Sequence, residues 1–202
     1  MKKLLLMMLV AAAVFAGCGQ QEKKPKETER VLYNKEFDWM IAIPQSFDSM
    51  TPEEVRMMQG RGVRAMEDTY DIEIEQKGGT IFAFKNEQTT LFHSNWQPFD
   101  STAASYDEGS RTLNKMIYRT FEKNIPGANL DSASSTENIS GLEFKVFKVG
   151  VTLPNTPPLD CWYFRRLFDK KELLVNITSA DPPKKEAILQ AWRASKFGAD
   201  KR

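Results

Sequence analysis

The stretch LDCWYFRRLFDKKELLVNIT, Leu159 to Thr178, decides the architecture. Leu159–Phe168 and Leu173–Thr178 are both rich in apolar, aromatic and β-branched residues, and Asp169-Lys170-Lys171-Glu172 is a polar turn between them. That pattern reads as a β-hairpin, so the strands here run antiparallel. Downstream, Asp181-Pro182-Pro183 opens a helix carrying Ile188, Ala191, Trp192 and Ser195, which ends at Phe197-Gly198. Upstream, the proline-studded loop from Pro154 to Pro158 separates the hairpin from another strand, Leu142 to Val149.

The same signals recur towards the N-terminus. Ser105-Tyr106-Asp107-Glu108 matches a capping box, and Leu113, Met116, Ile117, Thr120 and Phe121 follow at helical spacing until Pro126-Gly127. Before it, Tyr70, Ile72 and Ile74 alternate with Asp71, Glu73 and Glu75 as a strand with one wet face. Lys77-Gly78-Gly79-Thr80 turns that strand into Ile81–Lys85, and Thr89–Ser94 continues as a third. Thr51-Pro52-Glu53-Glu54 starts a helix whose inner face is Val55, Met58 and Met66, with Gly60 and Gly62 weakening or breaking it. Phe37, Trp39, Ile41 and Ile43 alternate with Asp38, Met40 and Ala42 in a strand ending at Pro44. The expected class is α+β: a mainly antiparallel sheet of about 6–7 strands packed with about three helices.

Tyr33-Asn34, the run Phe37-Asp38-Trp39-Met40-Ile41-Ala42-Ile43-Pro44, the late hairpin, and the terminal helix closing in Ser195-Lys196-Phe197 together resemble the Mog1/PsbP-like fold. The resemblance covers both ends of the body. It implies a sheet-and-helix sandwich and a role as a binding or assembly accessory, and it carries over no specific binding residues. The helix between Pro44 and Tyr70 departs from the family pattern in being longer.

The N-terminus reads as an address. Lys2 and Lys3 precede an unbroken apolar run, Leu4 to Ala16. Such a run is too short for a bilayer core of about 30 Å, which needs roughly 20 residues, and suits a signal-peptide core. Phe15-Ala16-Gly17-Cys18 resembles the lipobox of bacterial lipoproteins, with Phe15 where Leu is usual. The resemblance implies a signal peptide over 1–17, diacylation of Cys18, and a mature protein anchored in the bacterial cell envelope. Its site there is the outer membrane if the cell has one, otherwise the outer face of the cell membrane. Cleavage after Val14-Phe15-Ala16 to release a free protein, or an uncleaved anchor, are the competing readings. Gly19 to Arg30 has no large apolar residue and reads as a flexible tether, reaching at most about 40 Å. The body is then one α+β domain over 31–198, with 199–202 a disordered tail.

At 202 residues the chain suits one ordinary domain. Removing Lys2 and Lys3 from 28 basic residues leaves 26 against 27 acidic ones, so the body has no basic excess for nucleic acid. With Cys18 acylated, Cys161 is the one remaining thiol and no intrachain disulfide is available. It reads as a small buried hydrophobe, with a reactive thiol as the alternative. His93, the single histidine, reads as a partly exposed strand residue. A zinc site needs three or four ligands and finds no paired motif here, so no metal or cofactor is expected. Gly60-Arg61-Gly62-Val63-Arg64-Ala65 fits a dinucleotide fingerprint in letters only, since a capped helical segment, Thr51 to Gln59, precedes it instead of a strand.

The aromatics Phe37, Trp39, Phe82, Phe84, Phe92, Trp96, Trp162, Tyr163 and Phe164 are the remaining feature. Alternation assigns about half to each sheet face. Helices on one face would leave a groove or partner patch on the other; a three-layer sandwich would bury both. No catalytic residue is assigned. The expectation is a non-catalytic envelope lipoprotein, held to membrane lipid by Cys18, whose domain binds an envelope protein or an apolar ligand. The alternative is an envelope hydrolase working through carboxylates such as Glu73 and Glu75, with His93 or Cys161 assisting.

Overall fold

The computed structural model describes residues 29–87, 89–100 and 105–198. The expected signal peptide over 1–17, Cys18, nearly all of the expected tether and the residues from 199 lie outside the described residues. In chain order the first elements are β1 (Glu29–Asn34), β2 (Trp39–Pro44), β3 (Asp48–Ser49), α1 (Pro52–Tyr70), β4 (Gly79–Asn86) and β5 (Thr90–Pro98). Then come α2 (Tyr106–Asn124), β6 (Asn129–Ile139), β7 (Leu142–Thr152), β8 (Leu159–Phe168), β9 (Lys171–Ser179), α3 (Pro182–Arg193) and β10 (Lys196–Phe197).

Every strand pairing is antiparallel, in two sheets ordered β1-β2-β10 and β3-β4-β5-β9-β8-β7-β6. The α+β expectation holds, with seven strands in the large sheet and three helices among the described residues. The deciding hairpin is β8–β9, and it turns more tightly than its sequence suggests. Phe168 pairs with Lys171, so Lys171 and Glu172 belong to the strand and only Asp169-Lys170 make the turn. Asp169 takes the left-handed conformation there (φ 52°), which its short polar side chain tolerates.

The large sheet is covered on both faces. On one, α3 and the inner side of β2 (Trp39, Ile41, Ile43) meet Phe92, Phe144, Phe164, Val175 and Ile177 in the main core. On the other lie α1 and α2, with α2 sealing Phe147, Val149, Val151 and Cys161 through Ile117, Phe121 and Ile125. The three-layer arrangement is therefore the one adopted. The expected even split of aromatics is corrected: eight of the nine belong to the main core and Tyr163 alone to the α2 side. The cause is face polarity, because the α1–α2 face of the same strands carries His93, Asn95, Arg165 and Asn176 instead.

Three further readings change. Helix α1 runs unbroken through Gly60 and Gly62 to Tyr70. Two glycines cost it about 2 kcal/mol in propensity; flanking Met, Gln, Arg and Ala residues and a complete capping box outweigh them. In that box Glu54 N–H donates to Thr51 Oγ1 (3.2 Å) and Thr51 N–H to Glu54 Oε2 (2.9 Å). The strand expected at Tyr70–Glu75 is not formed; Asp71 caps the helix at φ 53° and an extended segment leads on to β4. Finally β6, NLDSASSTENI, is a strand that sequence periodicity misses. It is the sheet's edge and largely exposed on both faces, so burial imposes no alternation on it.

Candidate functional site

Helix α1 has an apolar stripe, yet none of its residues is buried. An amphipathic helix normally buries that stripe on the layer beneath it. Here Met58, Val63 and Met66 look instead onto a cavity of about 720 Å³, which α2 bounds with Leu113, Ile117 and Phe121. That volume lies within the range of small-molecule sites, roughly 300–1,000 Å³.

The helix is fixed at both ends and spans the gap between. At its N-terminus Glu54 pairs with Lys85 of β4. At its C-terminus Tyr70 OH donates to Met116 O (3.2 Å), Lys123 Nζ to Asp68 O (2.6 Å) and Asn124 Nδ2 to Thr69 Oγ1 (3.1 Å). The cavity floor is the middle of the large sheet. On the central strand β9, Leu173, Val175 and Ile177 are buried in the main core while Leu174, Asn176 and Thr178 are half-buried and line the cavity. Register sets Arg165, Leu174 and Asn95 in one cross-strand row and Tyr163, Asn176 and His93 in the next. The rim is the segment from Ile74 to Gly79. Gly78 is required there, since a Cβ would stand 1.6 Å from the Trp96 carbonyl oxygen.

His93 belongs to this floor and is buried, 6% exposed, rather than partly exposed. Burial lowers its pKa from 6.5 to about 4. Its Nε2 stands 3.3 Å from Gln59 Nε2 and 3.2 Å from Thr80 Oγ1; with the Gln59 amide donating, Nε2 accepts, which only the neutral ring does. Between pH 6.5 and about 4 the unfolded chain holds a proton on His93 that the folded one lacks. Stability is therefore complete above that window and lost as pH falls through it, by roughly 3 kcal/mol at its lower end. Urea titrations across the window should show a shallower fall for His93→Gln than for the wild type, and parallel curves would refute the assignment.

Cys161 and His93 are not brought together. They sit on β8 and β5 with β9 between, one row apart, hence about 10 Å laterally. Cys161 is 2% exposed and burial pushes its thiol up to about 11, which makes it a packing residue and not a thiolate nucleophile. Asp71, Glu73 and Glu75 are exposed and off the sheet, so they form no strand face, and Glu75 pairs with Lys77 (3.0 Å). Gly60–Ala65 lies in mid-helix, where no helix N-terminus is available to a phosphate.

Residues not singled out from sequence matter more. Arg165 is 3% exposed; its Nη2 donates to Ser110 O (3.0 Å) and to Asn114 Oδ1, docking α2 on the sheet. Burial disfavours its charge, and the carboxylate of Glu172, itself 4% exposed and held by Gln97 Nε2 (2.7 Å), counteracts this. Asn176 interrupts the apolar run Leu173–Ile177, and that interruption was the available signal; Asn95, beside His93, Ser94 and Gln97, and Arg165, beside Arg166, gave none.

No protein-family model matches the sequence, and no curated protein matches it significantly. Solved structures do. Cyanobacterial PsbP (CyanoP) from Synechocystis sp. PCC 6803 is similar with a TM-score of 0.56 and 8% identity, over 91% of this chain and 99% of that one. The chain has the Mog1/PsbP-like fold. The Saccharomyces cerevisiae Ran-binding protein Mog1p is also similar, with a TM-score of 0.44 and 6% identity over 85% of this chain and 96% of that one. At such identities the likeness is one of fold.

Proposed function

We propose that the chain is a membrane-tethered, non-catalytic binding protein that holds an apolar or amphipathic small molecule between the α1–α2 pair and the large sheet. The observation that carries the reading is the cavity of about 720 Å³ over the central strand, roofed by an apolar helix face none of whose residues is fully buried. Cys161 lies outside the cavity, and Glu75 on its exposed rim is paired with Lys77, which supports binding over hydrolysis. A neutral fluorescent probe, N-phenylnaphthylamine, should bind the full chain and brighten. Val63→Trp with Ile117→Trp fills the space and should abolish that response while thermal unfolding stays cooperative; undiminished binding by the filled variant would sink the reading.

The anchor is proposed from the leader sequence. Cys18, lipidated, would hold the domain at the bacterial envelope by two or more acyl chains, which suffice for stable attachment. In cells, Cys18→Ala should move the protein out of the detergent phase and end labelling by palmitate. Wild-type partitioning of that variant would leave the lipobox reading without support.

A further inference from the structure

The cavity floor restricts what kind of molecule the site takes, given that the cavity is a ligand site. Arg165 and Asn95 stand in one cross-strand row, Asn176 and His93 in the next. Strands lie about 4.8 Å apart and rows about 7 Å, so the four side chains share a patch roughly 10 Å across. Within it the Oδ1 atoms of Asn95 and Asn176 and the Nε of Arg165 are buried with no hydrogen-bond partner. Buried polar atoms are satisfied in the great majority of cases, and three orphans on one patch of one sheet face mark a place where a bound molecule supplies the partners. Two of the orphans are acceptors and one is a donor.

The charge of the patch is close to balanced. Arg165 is opposed by buried Glu172, and burial keeps His93 neutral at physiological pH. An anionic head would meet two amide oxygens and a guanidinium already opposed by Glu172, and a cationic head would meet Arg165; in a low-dielectric site either is costly. Opposite the floor, Met58, Val63, Met66, Ile117 and Phe121 offer apolar contact, while the charged lining residues Arg61, Glu75 and Lys77 are exposed.

We propose that the cavity binds a neutral amphiphile whose head both donates and accepts hydrogen bonds, an amide or a hydroxyl-bearing ester, with the head on Asn95, Asn176 and Arg165 and the apolar body under α1 and α2. The orientation follows from the polarity of the two walls. The ligand's length is set by the cavity and its head by the floor.

Displacement of N-phenylnaphthylamine from the full chain by four dodecyl amphiphiles tests this. Neutral lauramide and monolaurin should displace it at concentrations about tenfold below those of laurate or dodecyltrimethylammonium, the gain of two or more hydrogen bonds without a buried charge. Asn95→Leu with Asn176→Leu should keep probe binding and erase the preference. Asn176→Asp, nearly isosteric, should shift it towards the cation. Equal displacement by all four, or a preference for laurate, overturns the proposal while leaving a ligand cavity intact. Retention of the neutral preference in the double Leu variant overturns it as well. Failure of the probe to bind the wild-type chain overturns the cavity reading itself.

Discussion

Trp39→Ala should lower the unfolding free energy by about 3–5 kcal/mol, the loss typical of a fully buried indole. Trp39 is completely buried and joins four elements at once. Its ring stacks on Phe197 of β10 at 5.9 Å and 9°, meets Trp192 of α3 edge-on at 5.6 Å and 88°, and touches Phe82 of β4 at 5.2 Å. Its Nε1 donates to Ser195 Oγ at 3.0 Å, between α3 and β10. Removing it opens a cavity where the small sheet, the terminal helix and the large sheet converge. Ser195→Ala isolates one part of that sum, leaving a buried N–H unpaired at a cost of about 1–3 kcal/mol. Urea denaturation measures both. A loss below about 1 kcal/mol for Trp39→Ala would show that β2 and α3 do not pack on the large sheet as described.

Arg165→Ala should also be destabilising, by about 2–4 kcal/mol, through two lost hydrogen bonds from a charged donor and the loss of the cation that opposes Glu172. The substitution leaves Glu172, 4% exposed, without its opposing cation, and removes the donors that hold Ser110 O and Asn114 of α2. Glu172→Gln in the same chain removes the stranded charge, so the double variant should be less destabilised than the sum of the two single ones. Strict additivity would show that Arg165 acts only as an α2 dock. This cycle is independent of ligand binding, because it compares unfolding free energies of the protein alone.

These two residues also show how far the sequence reaches. Trp39 was legible as a core position, because Phe37, Trp39, Ile41 and Ile43 alternate in a pattern that only a half-buried strand imposes. Arg165 was not. In WYFRRLF nothing distinguishes Arg165 from Arg166, yet the pleat sends the first under α2 to Asn114 and the second to the Glu143 carbonyl at 2.7 Å. The acidic alternation at Tyr70–Glu75 misled for a related reason. A period of two is a strand only when a partner strand is present, and α1 consumes the first residue of that run.

The sequence by itself determined the antiparallel sheet, the three helices with their N-terminal caps, the β8–β9 hairpin and the hydrophobic faces of β2 and α3, since each follows from local periodicity and turn chemistry. Its Phe15-Ala16-Gly17-Cys18 supplies the proposed membrane address in the same local way. Only the tertiary structure decided that both faces of the large sheet are covered, that the aromatics gather on one of them, and that α1 stands clear of the other over a cavity. The physical reason is that a cavity belongs to no segment. It arises from where two helices are pinned relative to a sheet, by contacts such as Glu54 with Lys85 and Tyr70 with Met116 between residues tens of positions apart. Periodicity records that a face is covered; it carries no record of the distance at which the cover lies.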